Sequence, residues 1–191
     1  MKIGLFGGSF NPIHNAHVQL ARTICEQAGL DEIWFLVSPH NPLKVSSDLL
    51  DERLRLKMVE LALEDNPHLR ACDYEFNLPR PSYTWNTLCH LHEDFPDHTF
   101  YIIIGGDNWL AFPRWHNYEE ILREYNVIVY PREGSIIDET TLPHSVTLVN
   151  TPKINITSTK IREMIRKGME INEFTNEKVV NFINDNNLYR Q

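Results

Sequence analysis

Basic runs, cysteine pairs and long apolar stretches are missing from this 191-residue chain, and each absence removes a class of function. Lysine and arginine number 18 against 26 aspartates and glutamates, a formal net charge of −8, and the cations never form a run. The footprint of a nucleic-acid or anionic-membrane binder is therefore lacking. A phosphate held by such a chain must meet a local positive pocket, because the summed field repels anions. The three cysteines (Cys25, Cys72, Cys89) are odd in number, far apart and without a CxxC pair, which argues against a disulfide framework and a thiolate zinc site. Residues 1 to 10 offer one early charge, Lys2, then a short apolar strand and glycines, not the apolar stretch and cleavage site of a signal peptide. No segment approaches the roughly 20 apolar residues that span a bilayer. These absences lead us to expect a cytoplasmic protein in a reducing compartment. The hydrophobic share of 42% is enough to bury a core without disulfides, and no repeat, low-complexity tract or linker divides the chain. The expectation is one domain over residues 1–191.

Short apolar runs alternate with stretches of helical spacing. Ile3 to Phe6 reads as a buried strand ending in Gly7-Gly8, and Asn15 to Ala28 as a helix stopped by Gly29. Glu32 to Val37 is a second strand, followed by the turn-rich Ser38-Pro39-His40-Asn41-Pro42-Leu43-Lys44. Helical spacing returns from Asp48 to Asp65, Thr84 to Glu93, Asn117 to Glu124, Ser158 to Lys167 and Asn176 to Asp185. Strands are expected at Leu69 to Tyr74, His98 to Ile104 (closed by Gly105-Gly106), Asn126 to Tyr130 and Val146 to Val149. Arg132 to His144 reads as a surface connection and the best candidate for a mobile loop. Strands interleaved with helices at this spacing imply an α/β fold: a Rossmann-like, doubly wound, mostly parallel sheet with helices on both faces.

Ligands in such a sheet sit beyond the carboxyl ends of the strands. The first such turn is Gly7-Gly8-Ser9-Phe10-Asn11-Pro12-Ile13-His14-Asn15-Ala16-His17. Adjacent glycines admit a close backbone approach, and the next helix aims unpaired N–H groups at an anion. His14 and His17, three apart at a helix start, are spaced to face one point. Neither GxGxxG nor GxxxxGK[ST] occurs, so both common phosphate loops are excluded. As a metal site the His-x-x-His pair lacks a third ligand, and His90 and His92 point to different helix faces, so no protein-held metal is expected. The bland reading of this segment is a tight turn with surface histidines.

Further along, Ile156-Thr157-Ser158-Thr159-Lys160-Ile161-Arg162 sets hydroxyls at a helix start and two cations in its first turns. This suits either an ordinary capped helix or a phosphate grip with the planar fork of Arg162. In Ser82-Tyr83-Thr84-Trp85-Asn86-Thr87-Leu88, the residues alone suggest Ser82 or Thr84 as a helix N-cap and Tyr83 as packing. Asp107 follows the strand ending in Gly105, and Trp109 and Trp115 offer flat apolar surfaces. Trp34, in mid-strand, reads as core.

GGSFNPIHNAH resembles the GGSFDPxHxGH signature of bacterial nicotinate mononucleotide adenylyltransferases, within the nucleotidyltransferase superfamily marked by an HxGH-type motif. Asn11 stands where that family often has aspartate, and Ala16 where it has glycine. TSTKIR is similar to the family's ISSTxIR, SPHNPLK to its lysine-bearing loop, SYTWNTL to its SYTxxTL and IGGD to its IxGxD, so the likeness runs over nearly the whole chain.

The resemblance implies transfer of the adenylyl group of ATP to nicotinate mononucleotide, giving nicotinate adenine dinucleotide and pyrophosphate, with Mg2+ carried on ATP. It assigns His14, His17, Lys44 and Arg162 to catalysis. Gly7, Gly8, Ser9, Phe10, Gly105, Asp107, Ser158 and Thr159 fall to ATP, and Tyr83, Thr84, Trp109 and Trp115 to the acceptor. Alternatives are an adenylyltransferase for nicotinamide mononucleotide or pantetheine phosphate, the latter disfavoured by His14 and SYTWNTL, and a nucleotide-binding sensor without turnover. A tRNA-charging enzyme conflicts with the short, acidic chain. No nucleic-acid or membrane partner is expected, and a homo-oligomer is left open.

Overall fold

A computed structural model describes residues 1–39, 49–151 and 156–190. Six strands, β1 (Lys2–Gly8), β2 (Glu32–Val37), β3 (Leu69–Cys72), β4 (Thr99–Gly105), β5 (Asn126–Tyr130) and β6 (Val146–Leu148), form one sheet in the order β3-β2-β1-β4-β5-β6. Every neighbouring pair is parallel. The helices are α1 (Asn15–Ala28), α2 (Glu52–Leu63), α3 (Thr84–Asp94), α4 (Gly106–Ala111), α5 (Tyr118–Glu124), α6 (Ser158–Arg166) and α7 (Glu177–Asp185).

Because successive strand residues point to opposite faces, apolar runs such as Glu32–Val37 feed two cores at once. Phe6, Phe35, Ile103 and Ile128 pack with Ile24 of α1, Met58 of α2, Ile161 of α6 and Val179 of α7. Leu5, Trp34, Ile102 and Val129 pack on the other face with Leu88 and Leu91 of α3 and Ile121 of α5. Each such large side chain, fully buried, contributes about 1.5–3 kcal/mol. Trp34 is core, as its mid-strand position implies. The winding reverses between β1 and β4, and a crevice opens there above the strand ends.

Several boundaries differ from the sequence reading. The helix expected from Asp48 covers Glu52–Leu63, where Asp51 supplies the cap by accepting the Arg53 N–H at 2.8 Å. The strand expected to reach Tyr74 stops at Cys72, and Tyr74–Asn77 forms a single 3-10 turn. Gly105-Gly106 does not merely close β4: Gly106 begins α4, a helix of 6 residues that is too short to show an apolar period. The connection after β5 is partly ordered by packing, with Ile137 and Leu142 against the α3/α5 core and a 3-10 turn at Glu139–Thr141. Gly29 ends α1 as expected, left-handed at φ 59°, and the Leu30 N–H reaches back to the Cys25 carbonyl at 3.0 Å.

Candidate active site

The turn leaving β1 is built around a buried ring. Phe10 adopts φ 45°, a conformation that costs a non-glycine residue energy, and its side chain lies in the core against Phe6 and Phe35. A Cβ on Gly8 would come within 2.9 Å of the Phe10 ring, so glycine is required for this turn. At the end of the turn His14 becomes the N-cap of α1, and its ring stacks on that of His17 with centroids 3.6 Å apart. The His14 backbone N–H donates to His17 Nδ1 at 3.3 Å, which puts the proton of a neutral His17 ring on Nε2. His14 is 3% exposed and its Nδ1 has no hydrogen-bond partner. Burial first, then the nearby Arg132 cation, hold its pKa down at about 4. His14 is thus a neutral ring at a helix N-terminus, stacked on His17.

The late helix docks on this same turn. Ser158 Oγ donates to the Pro12 carbonyl at 2.9 Å and Arg162 Nη1 to the Asn11 carbonyl at 2.8 Å, bridging separations of 146 and 151 residues. Thr157 caps α6 by accepting the Lys160 N–H at 3.2 Å, and the Thr159 hydroxyl accepts from Arg162 Nη2 at 3.4 Å. The Arg162 Nε is buried without a partner, a donor left for a ligand. Arg132 follows β5, lying over the Tyr130 ring at 5.6 Å with its Nε 3.7 Å from Asp107 Oδ1. Gly105 makes room for both: a Cβ there would meet Asp107 Oδ1 at 2.6 Å and Arg132 Cγ at 3.0 Å.

A cavity of about 390 Å³ opens beside the glycines, on the α3 side of the sheet. Gly7, Gly8, Gly105, Tyr83, Thr84 and Trp115 line it, together with Ser38, Glu75, Ser82, Thr87, Asn108, Arg114 and His116. Two polar atoms in its wall, Ser82 Oγ and Trp115 Nε1, are buried and unpartnered. The ring of Tyr83 lies 4.9 Å from that of His116, so the segments before α3 and after α4 meet at the cavity.

Residues 5–164 match the family described as Cytidylyltransferase-like. The chain belongs to that family. It is 46% identical, over 97% of its own length and 92% of the relative's, to a protein of Bacteroides thetaiotaomicron named "Probable nicotinate-nucleotide adenylyltransferase". A Flavobacterium psychrophilum protein of the same name is 43% identical with both chains covered in full. In fold it is similar to the Plasmodium falciparum nicotinic acid mononucleotide adenylyltransferase complexed with NaAD, at TM-score 0.81 and 24% identity, covering 98% of this chain and 97% of that one.

Within this cytidylyltransferase-like frame the expected site residues divide. Gly7, Gly8, His14, His17, Gly105, Ser158, Thr159 and Arg162 gather at the β1/β4 crevice and on the helix docked beside it. Ser9 contributes its backbone, since its carbonyl accepts from Arg55 at 2.7 Å. The Phe10 ring is buried against Phe6 and Phe35 and meets the His17 ring edge-on at 5.3 Å, so it supports the site from the core. Asp107 is exposed and faces Arg132. Trp109 stacks on Phe112 at 5.4 Å and does not line the cavity, whereas Trp115, against the same Phe112 at 5.0 Å, does, as does Asn108. Neither Ser82 nor Thr84 is the N-cap of α3, because Tyr83 holds that position and makes no side-chain cap bond. Lys44 lies outside the described residues. Sequence reasoning missed Arg132, whose place just beyond a strand end was a usable signal. It also missed Glu75 and Arg55, whose partners are loop carbonyls and hydroxyls that no spacing reveals.

Proposed function

We propose that this protein transfers the adenylyl group of ATP to nicotinate mononucleotide, releasing pyrophosphate. The observation that carries the reading is the docking of Ser158 and Arg162 onto the turn that bears His14 and His17. That docking gathers imidazoles, a helix N-terminus and a guanidinium around one crevice, with an acceptor-sized cavity at its side. Relatives of 43–46% identity over nearly full length carry the name of this activity.

The acceptor's 5′-phosphate attacks the α-phosphorus in line, a P–O bond forms, and the bond to the β-phosphate bridge breaks with its electron pair leaving on pyrophosphate. Such chemistry needs positioning and charge stabilisation and no covalent nucleophile. His14 and His17 meet the α and β phosphates, Arg162 and Lys44 the departing pyrophosphate, and Arg132 adds positive charge from the β5 side. Magnesium enters as part of the substrate, bound to the triphosphate: imidazole and guanidinium groups make a poor shell for it, and no cluster of three or more His, Cys, Asp or Glu occurs among the described residues.

The test is pyrophosphate release from magnesium-ATP with nicotinate mononucleotide, nicotinamide mononucleotide or pantetheine phosphate. Turnover is expected to be fastest with the first, and ATP binding without pyrophosphate from any acceptor would instead establish a nucleotide sensor. His17→Ala should lower kcat about 10²–10³-fold, the usual loss when one transition-state donor is removed. A kcat within a few fold of wild type removes His17 from the mechanism.

A further inference from the structure

Glu75 is a carboxyl group in an unusual place. It sits in the 3-10 turn after β3, is 6% exposed, and lines the acceptor cavity opposite the start of α3. The Thr87 hydroxyl donates to Glu75 Oε1 at 2.9 Å, and the Ser38 side chain supplies a second hydrogen bond. Neutral hydroxyls from α3 and from the end of β2 thus hold it, where most buried carboxylates face a cation. The titratable or charged side chains around the same cavity are Tyr83 before α3, Arg114 and His116 after α4, and Tyr130 of β5. From α2, Arg55 directs its donors to the carbonyls of Leu50, Ser9, Ser38 and Pro39, not to Glu75.

We propose that Glu75 is a specificity-determining residue: set in the wall of the acceptor cavity between two hydroxyls, it governs how well that cavity takes an anionic ring relative to a neutral one. The inference rests on the nicotinate reading above and deepens it. Burial raises the Glu75 pKa to about 7, the two hydroxyl bonds pulling the other way. Protonated, the group is an uncharged wall, and a ring carboxylate enters beside it without like-charge repulsion. Ionised, it opposes that carboxylate across a poorly solvated gap, while a ring carboxamide is little affected.

The experiment measures kcat/KM for nicotinate and nicotinamide mononucleotide from pH 6 to 8.5 in the wild type, Glu75→Gln and Thr87→Val. Both acceptors carry the same 5′-phosphate, so its titration cancels in their ratio. In the wild type the acid-to-amide ratio should fall about tenfold across this range, the scale of one like-charge repulsion at intermediate dielectric. Glu75→Gln keeps the shape and an acceptor for the Thr87 hydroxyl while removing the charge, and its ratio should be flat. Thr87→Val withdraws a donor that favours the ionised form, so the fall should move to higher pH. A flat ratio in the wild type, or a fall that persists in Glu75→Gln, overturns the proposal while the functional reading stands. Absence of pyrophosphate with either acceptor sinks the functional reading and the selectivity claim with it.

Discussion

The residue-scale peculiarity of this site is a buried histidine that stays neutral. An unfolded histidine protonates near 6.5, whereas folded His14 does so near 4, chiefly because burial disfavours the charged ring. Between those values the unfolded chain binds the extra proton, so stability is lost as pH falls from 6.5 toward 4, by up to ~3 kcal/mol from this group. Glu75 works in the opposite sense. Its folded pKa of about 7 lies above the ordinary 4.5, so its contribution is complete below pH 4.5 and is lost as pH rises through 7. The two groups therefore partly offset each other in mildly acid solution, and a wild-type profile would mask both. A variant isolates one of them: His14→Gln removes the titrating ring, and its stability relative to wild type should rise as pH is lowered from 7.5 to 5. Urea unfolding at the two pH values measures this, and an equal difference at both would show that His14 protonates normally in the folded protein.

At the scale of elements, the ends of β1 and β2 are tied by one helix side chain. Arg55 occupies the buried stripe of α2 with Met58, Val59, Ala62 and Leu63, and is itself 0% exposed. It donates to the carbonyls of Ser9 at 2.7 Å, Leu50 at 2.8 Å, Ser38 at 2.9 Å and Pro39 at 3.3 Å. A guanidinium carries five donors in a planar fork against three on an ammonium group, so it alone can serve all four carbonyls. Arg55→Met would leave those carbonyls buried and unpaired, at a cost of about 3–5 kcal/mol, and Arg55→Lys should fall between it and wild type. A urea midpoint for Arg55→Met corresponding to less than 1 kcal/mol of loss would mean that water replaces the guanidinium. Arg55 also marks where sequence reading stops. α1, β2 and β5 were legible to the residue because an apolar period and a terminal glycine or turn bound them. A cation on an apolar stripe was visible too, yet the carbonyls it serves come from loops whose paths are set only once the strands have paired. The same reason hides Glu75, whose hydroxyl partners lie 12 and 37 positions away in sequence.

At the scale of the whole molecule, the site exists only when the two ends of the chain meet. Besides the α6 contacts, the Thr175 hydroxyl donates to the Ile13 carbonyl at 3.1 Å and the Tyr189 hydroxyl to Asn11 Oδ1 at 2.8 Å. The carbonyl oxygen of Asn11 thus does what a carboxylate would do there, which accounts for the departure from the aspartate of the resembling signature. A triphosphate held between His14, His17 and Arg162 would add a bridge across the same junction, absent from the unfolded chain, so binding and global stability are linked. At a hundredfold excess over Kd, a non-hydrolysable ATP analogue with magnesium should add ~2.7 kcal/mol, raising Tm by roughly 5–10 °C for a chain of this size. Arg162→Ala should retain most of the unliganded Tm, since its hydrogen bonds to Asn11 and Thr159 are modest, yet lose most of the shift at the same analogue concentration. Scanning fluorimetry at a series of analogue concentrations reads both quantities. A full shift in Arg162→Ala would separate α6 from the polyphosphate and leave the histidine turn to bind it alone.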